Sequence, residues 1–213
     1  FHAVLRLEPR LAPARYQHGQ GVRLQDTIIM LPWRASLIIG EVYHEAGARL
    51  FWHVGAKRNE HTLAPEVYYE QKPDGKPPMG DETIYPLTDP MVASGGTAGD
   101  GVERLLAAGV STKQIVVQAI VAAPEGVDFL LRTYPGIRIV TVALDECLNR
   151  KGFIKSGLGD FGDQAMLGID EQYIDTHWLR NGFLNRAQVD IIMARTREIE
   201  AAQAHHDATS PTV

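Results

Sequence analysis

The stretch from Ile84 to Thr97, IYPLTDPMVASGGT, constrains the fold of this chain more than any other segment. An apolar-leaning run leads into Asp89, small residues follow, and residues 100–109 have the periodicity of an amphipathic helix. Strand, acidic residue, small-residue loop and helix together suit phosphate binding, because glycines allow close backbone approach and helix-start N–H groups converge on an anion. An ordinary strand–turn–helix connection has the same pattern, so both interpretations stay open at this point.

Apolar runs alternate with amphipathic segments along most of the chain. Strands are predicted at residues 27–31, 49–54, 66–70, 84–88, 114–121 and 137–144, and helices at residues 37–46, 100–109, 126–133 and 186–204. This alternation predicts an α/β fold with a mostly parallel central sheet flanked by helices. Polar residues 55–64 predict a turn, and residues 72–82, with three prolines and two glycines, predict an exposed loop or a mobile lid.

Three regions are expected along the 213 residues. Residues 1–26 form an N-terminal arm without clear periodicity. Residues 27–178 form one domain, which includes a distinct segment at about 145–168, and glycines crowd residues 152–168 of it. Residues 179–213 form a C-terminal helical extension with a polar tail.

Composition narrows the partners and the compartment. The formal net charge of −5 argues against nucleic acid or an anionic membrane as the main partner. Cys147 is the single cysteine, so an intrachain disulfide framework is excluded and a reducing compartment is favoured. No apolar run approaches the roughly 18 residues of a transmembrane helix, and the start of the chain does not resemble a signal peptide. We therefore expect a soluble cytoplasmic protein.

Four ordered segments resemble one known family. The line TDPMVASGGT at residues 88–97 resembles the phosphoribosyl-diphosphate-binding loop of type I phosphoribosyltransferases, and its Asp-Pro pair resembles the uracil phosphoribosyltransferase branch. Residues 54–69 are similar to the arginine-bearing hairpin of that branch, and residues 122–126 to its strand-end turn. Residues 143–163 are similar to its base-binding hood. The resemblance covers about residues 31–168 and implies a type I phosphoribosyltransferase fold.

The resemblance implies transfer of a 5-phosphoribosyl group from phosphoribosyl diphosphate (PRPP) to uracil, giving UMP and pyrophosphate. Asp89 and Arg58 are the implied catalytic residues, with Asp89 accepting hydrogen bonds from the ribose hydroxyls. Arg34 and Arg58 would bind pyrophosphate as planar donors. Asp160 would lie near the ribose phosphate. The remaining implied PRPP-binding residues are Pro90, Met91, Val92, Ala93, Ser94, Gly95, Gly96 and Thr97.

Displacement at an anomeric carbon asks little bond-making of the protein, which must position two partners and stabilise separating charge. We expect Mg²⁺ to arrive on the diphosphate, because few acidic residues cluster in the sequence to hold it. No metal site formed by the protein alone is predicted.

The chain departs from the family pattern at two places. The first-strand turn reads LPWRAS at residues 31–36, where Trp33 and Ser36 would restrict backbone approach at the pyrophosphate loop. In the hood, Lys155 and Ser156 replace an apolar-Pro pair, and Phe161 replaces a small residue. The implied base-binding residues are Lys155, Asp160, Phe161 and Gly162.

These departures leave three functional hypotheses. The first is a uracil phosphoribosyltransferase. The second is the same reaction on a different heterocyclic acceptor in a specialised pathway, because a lysine beside the acceptor favours an anionic ring. The third is a non-catalytic regulatory protein that binds a nucleotide or PRPP. A homodimer or larger homo-oligomer is expected from the apolar terminal helix and from the family.

Overall fold

A computed structural model of the chain describes residues 24–58, 65–74, 83–149, 152, 154, 166 and 169–209. The chain divides into two compact units, residues 1–161 and residues 162–213. No helix in the described ranges is long and apolar enough to cross a bilayer.

The first unit is built on a mostly parallel sheet. Its strands are β1 (Ile28–Trp33), β2 (Leu50–Arg58), β3 (Pro65–Gln71), β4 (Tyr85–Thr88), β5 (Met91–Val92), β6 (Ile115–Ala122) and β7 (Arg138–Leu144). The spatial order is β3-β2-β1-β4-β6, with β5 and β7 also pairing with β6. The β2–β3 hairpin is antiparallel and the other pairs are parallel. The predicted α/β class is confirmed.

Within the described residues, three helices follow strands of the first unit, and two helices with defined bounds belong to the second. They are α1 (Leu37–Glu45), α2 (Gly96–Ala107), α3 (Pro124–Thr133), α4 (Glu171–Tyr173) and α5 (Arg186–Thr209). The side chain of Asp170 caps α4 by accepting the N–H of Tyr173 over 2.7 Å. At its other end α4 continues into a π-helical turn, Ile174–Leu179. Short 3₁₀ turns occur at Leu24–Asp26 and Thr112–Gln114.

The main core lies between the sheet and helices α2 and α3. Alternate residues of β1, β4 and β6 point into it, and α2 contributes Val102 and Leu105. Gly101 allows the close approach of α2, since a Cβ there would lie 2.6 Å from Cδ1 of Leu87. The sheet edge that carries the loops is thereby fixed by well-packed elements.

Two sequence predictions of local structure are wrong. Residues 55–58 were expected in a turn but continue β2, because Lys57 and Arg58 pair with Glu66 and Pro65 across the hairpin. The helix expected at 100–109 begins at Gly96, because Gly95, at φ 83°, turns the chain into it.

Candidate active site

Asp89 lies where the strand pairing along β6 is interrupted between β4 and β5, although the register is the same on both sides. β4 pairs with β6 up to Thr88↔Gln118, and β5 resumes at Met91↔Val121, so the same offset of thirty residues holds on both sides. Pro90 breaks the ladder because it has no N–H to donate, while its carbonyl accepts the N–H of residue 120 over 2.9 Å. The interruption leaves Asp89 at the carboxyl end of β4, the place where parallel sheets bind ligands.

The environment of Asp89 raises the pKa of its carboxyl in the absence of a ligand. Burial raises the pKa of its carboxyl from 3.8 to about 7, although the N–H of Met91, 3.3 Å from Oδ1, acts in the opposite direction. Carboxyl groups with raised pKa values cluster at functional sites.

The loop after β5 turns directly into the amino end of α2. Ser94, Gly96 and Thr97 are exposed there, whereas Gly95 is buried. A Cβ on Gly95 would lie 2.8 Å from Cδ1 of Phe129, so both its positive φ and its surroundings require glycine. Exposed N–H groups at the start of a twelve-residue helix are suited to an anion.

Helix α3 presses on the back of this loop. A Cβ on Gly126 would collide with the carbonyl oxygen of Ala93 and would lie 3.0 Å from Cγ1 of Val92. The glycine of the strand-end turn thus has a local task, since it lets α3 hold the loop against the sheet.

The turn after β1 lies beside this site, because β1 and β4 are neighbouring parallel strands. The Trp33–Arg34 peptide bond is cis, and the carbonyl of Arg34 accepts the N–H of Leu37 at the start of α1 over 3.0 Å. Ser36 is buried and its hydroxyl donates to the carbonyl of Pro32. Trp33 is also buried, so both family departures in this turn point inward.

Arg58 ends β2, the next strand along, so its backbone also lies at the carboxyl edge. Its side chain is outside the described residues. The implied base-binding residues also lie outside them, namely Lys155, Asp160, Phe161 and Gly162. The structure therefore brings the Asp89 loop, the Arg34 turn and the end of β2 to one edge, and their ligand contacts stay predictions.

Gln118 supports the site and was not predicted. Its carbonyl accepts the N–H of Asp89 over 2.9 Å, and its side-chain Oε1 accepts the hydroxyl of Tyr43 over 2.5 Å. A glutamine inside an otherwise apolar strand was the available sequence signal, because burying a side-chain amide is costly unless it is hydrogen-bonded.

The fold and this edge define the class: an α/β protein whose mostly parallel sheet presents an acidic residue beside a loop that leads into a helix N-terminus. A family model, uracil phosphoribosyltransferase (UPRTase), matches residues 42–166. The chain belongs to the uracil phosphoribosyltransferase family, and the resemblance inferred from the sequence is confirmed.

Individual relatives agree with the family model. A uracil phosphoribosyltransferase of Campylobacter fetus is 39% identical over 145 residues, covering 67% of this chain and 66% of the relative. One from Lactococcus lactis is 43% identical over 112 residues, covering 53% of this chain and 51% of the relative. The solved AQ2163 protein of Aquifex aeolicus is 31% identical, with a TM-score of 0.58, and covers 67% of this chain and 66% of that one. The chain thus spans between half and two thirds of the length of these proteins.

Proposed function

We propose that the protein transfers a 5-phosphoribosyl group from PRPP to uracil and releases pyrophosphate. The observation that carries this proposal is the placement of Asp89 and the loop 93–97 beside the Arg34 turn, inside the segment that matches the family model. The names of the relatives support uracil as the acceptor.

The ribose 5-phosphate half of the donor would bind between Asp89 and the start of α2. Asp89 accepts hydrogen bonds from the ribose 2′- and 3′-hydroxyls. These donors favour the ionised carboxylate and so offset the rise in its pKa that burial causes. The loop N–H groups and the hydroxyls of Ser94 and Thr97 bind the 5′-phosphate, whose charge also suits the amino end of α2.

The diphosphate half would bind at the Arg34 turn and the end of β2. Arg34 and Arg58 each offer a planar, permanently charged fork that binds diphosphate oxygens in a bidentate manner. As the C1–oxygen bond breaks, negative charge grows on the leaving pyrophosphate, so fixed cations there stabilise the transition state more than the ground state. Positive charge on the ribosyl ring is balanced by the ionised carboxylate of Asp89.

Mg²⁺ is proposed as part of the substrate complex, carried by the diphosphate. Asp89 is assigned to the ribose hydroxyls, and few acidic residues cluster beside it in the sequence to hold the ion. When bound, Mg²⁺ would neutralise diphosphate charge, while the chain's own residues orient the sugar and the leaving group.

The acceptor is the less constrained half of the proposal. Lys155 and Phe161 motivate the alternative of a different, anionic heterocycle, with Asp160 and Gly162 completing the base-binding set. The non-catalytic alternative was motivated by Trp33 and Ser36, and their inward placement removes the main steric reason for it.

Pyrophosphate release from PRPP with a panel of bases separates these functions. Turnover with uracil supports the main proposal, and turnover with another base alone supports the alternative acceptor. PRPP binding without release from any base would replace both with a regulatory role. An equimolar yield of nucleotide and pyrophosphate is the control against simple hydrolysis of PRPP.

A cytoplasmic location and a homodimer or larger homo-oligomer complete the proposal. The location is supported by the single cysteine, which fits a reducing compartment. Light scattering of the purified chain tests the oligomeric state.

A further inference from the structure

The indole of Trp33 joins two segments that the proposed function places on the diphosphate. Trp33 is the last residue of β1, directly before Arg34, and it is 6% exposed. Its Nε1–H donates to Nδ1 of His53 in β2 over 3.0 Å. Its ring stacks on that of Tyr69 in β3, with centroids 4.5 Å apart and planes 13° from parallel.

The strand register explains how the indole reaches Tyr69 across a whole strand. Trp33 pairs with Gly55 of β2, and Gly55 pairs with Tyr69 of β3, so the three lie in one row. Two strand spacings amount to about 9.6 Å, so the two rings must lean towards each other over Gly55. A Cβ on Gly55 would lie 2.6 Å from Cε2 of Tyr68, which a bulge in the hairpin turns over the same glycine.

His53 is suited to accept a hydrogen bond from the indole N–H. It is 4% exposed, and burial lowers the pKa of its imidazole to about 4. The ring is therefore neutral at physiological pH, and a neutral imidazole keeps one nitrogen as an acceptor. An edge contact between the rings, with centroids 5.5 Å apart, adds to the hydrogen bond.

We propose that Trp33 is a positioning residue, which fixes the Arg34 turn to the β2–β3 hairpin and so sets the separation of Arg34 and Arg58. The inference rests on the proposed function, since it concerns the same diphosphate. It adds a residue that sets affinity for one half of the donor. The other half depends on the Asp89 loop, which Gln118 and α3 hold independently of Trp33.

The test compares two ligands that share a ribose 5-phosphate and differ in the diphosphate. Dissociation constants for PRPP with Mg²⁺ and for ribose 5-phosphate are measured by calorimetry on wild type, Trp33→Phe, His53→Leu and His53→Gln. Trp33→Phe keeps a ring for stacking and loses the N–H, His53→Leu loses the acceptor, and His53→Gln restores one. We expect PRPP binding to weaken about five- to tenfold in Trp33→Phe and His53→Leu. Ribose 5-phosphate binding should change less than about twofold, and His53→Gln should recover most of the loss.

Trp52→Phe is the matched control. Trp52 lies in β2, as His53 does, is 2% exposed, and donates its Nε1–H to Oε1 of Glu70 in β3 over 3.0 Å. It removes an indole hydrogen bond from the same hairpin without touching the Arg34 turn. We expect it to lower the unfolding temperature by a similar amount and to leave PRPP affinity unchanged.

If Trp33→Phe weakened the binding of PRPP and of ribose 5-phosphate equally, Trp33 would be merely a structural residue and the inference would be overturned. Unchanged PRPP affinity in Trp33→Phe and His53→Leu, or a PRPP loss in Trp52→Phe as large as theirs, would also overturn it. These outcomes leave the proposed function standing if wild type releases pyrophosphate. A wild type that binds neither ligand would instead overturn the proposed function, and the inference with it.

Discussion

The N–H of Asp89 donates to the carbonyl of Gln118 over 2.9 Å, at the point where β4 ends and Pro90 interrupts the ladder. This bond holds the backbone of the candidate ribose-binding residue against the central strand β6. Its side chain is left to two opposing influences, burial and the Met91 N–H. The protein therefore maintains a carboxyl in a position that disfavours its negative charge. Two predictions concern this carboxyl.

The first concerns activity. Asp89→Asn should lower kcat/KM by about 100-fold or more, because two hydroxyl–carboxylate hydrogen bonds are replaced by weaker neutral ones. Initial rates of pyrophosphate release over a range of PRPP concentrations, from well below KM to saturation, give kcat/KM and check this. The circular dichroism spectrum of the variant should match that of the wild type. Activity within about threefold of wild type would show that Asp89 does not bind the ribose.

The second concerns stability as a function of pH. The folded-state pKa of Asp89, about 7, lies above its ordinary 3.8, so the folded state retains a proton that the unfolded state has lost. This contribution to stability is complete below pH 3.8 and is lost as pH rises through 7. Asp89→Asn should therefore be more stable than wild type at pH 8 by about 1–3 kcal/mol, and close to it at pH 4. Urea unfolding at both pH values gives the comparison, and a constant difference would contradict the raised pKa.

Gly126→Ala tests the support of the phosphate loop. A Cβ at this position meets the backbone of Ala93, which cannot rotate away as a side chain can. We expect about 1–3 kcal/mol of destabilisation together with weaker binding of ribose 5-phosphate. Gly101→Ala is the control, because its Cβ would meet the flexible end of Leu87, far along α2 from the loop. It should lower stability and keep ligand affinity; a matching affinity loss would remove the specific role of Gly126.

Arg104 ties the hairpin to the helix that follows the loop. Its guanidinium binds Asp100 in α2 over 2.8 Å and Glu70 in β3 over 2.7 Å, and its side chain is 21% exposed. Both carboxylates raise the pKa of Arg104, Asp100 more strongly. Arg104→Met should cost about 1–2 kcal/mol and leave two acids without their shared cation.

The control for this pair is Arg132→Met, which breaks the exposed Arg132–Asp128 pair of α3 and should cost less than about 0.5 kcal/mol. Urea unfolding measures both variants. Raising the salt concentration should narrow the difference between wild type and Arg104→Met only partly, because that network is partly buried. Equal losses of unfolding free energy in the two variants would contradict a stabilising role of the Arg104 network.

Local patterns predicted the Asp89 loop and the order of strands and helices, because buried strands and amphipathic helices show their periodicity in the sequence. Residues 55–58 were missed because Gly55 and Lys57 have weak strand propensity, and pairing with β3 decides their conformation. β5 has only two residues, too few for any periodicity. The link from Trp33 to Tyr69 depends on register and a bulge, which are long-range properties.

The proposed reaction joins the phosphoribosyl group of PRPP to uracil. The most direct measurement is the formation of UMP and pyrophosphate from PRPP, Mg²⁺ and uracil by wild type and by Asp89→Asn in parallel. We expect equimolar UMP and pyrophosphate from the wild type and almost none of either product from the variant. An absence of UMP with wild type, or equal rates for the two proteins, would contradict this expectation.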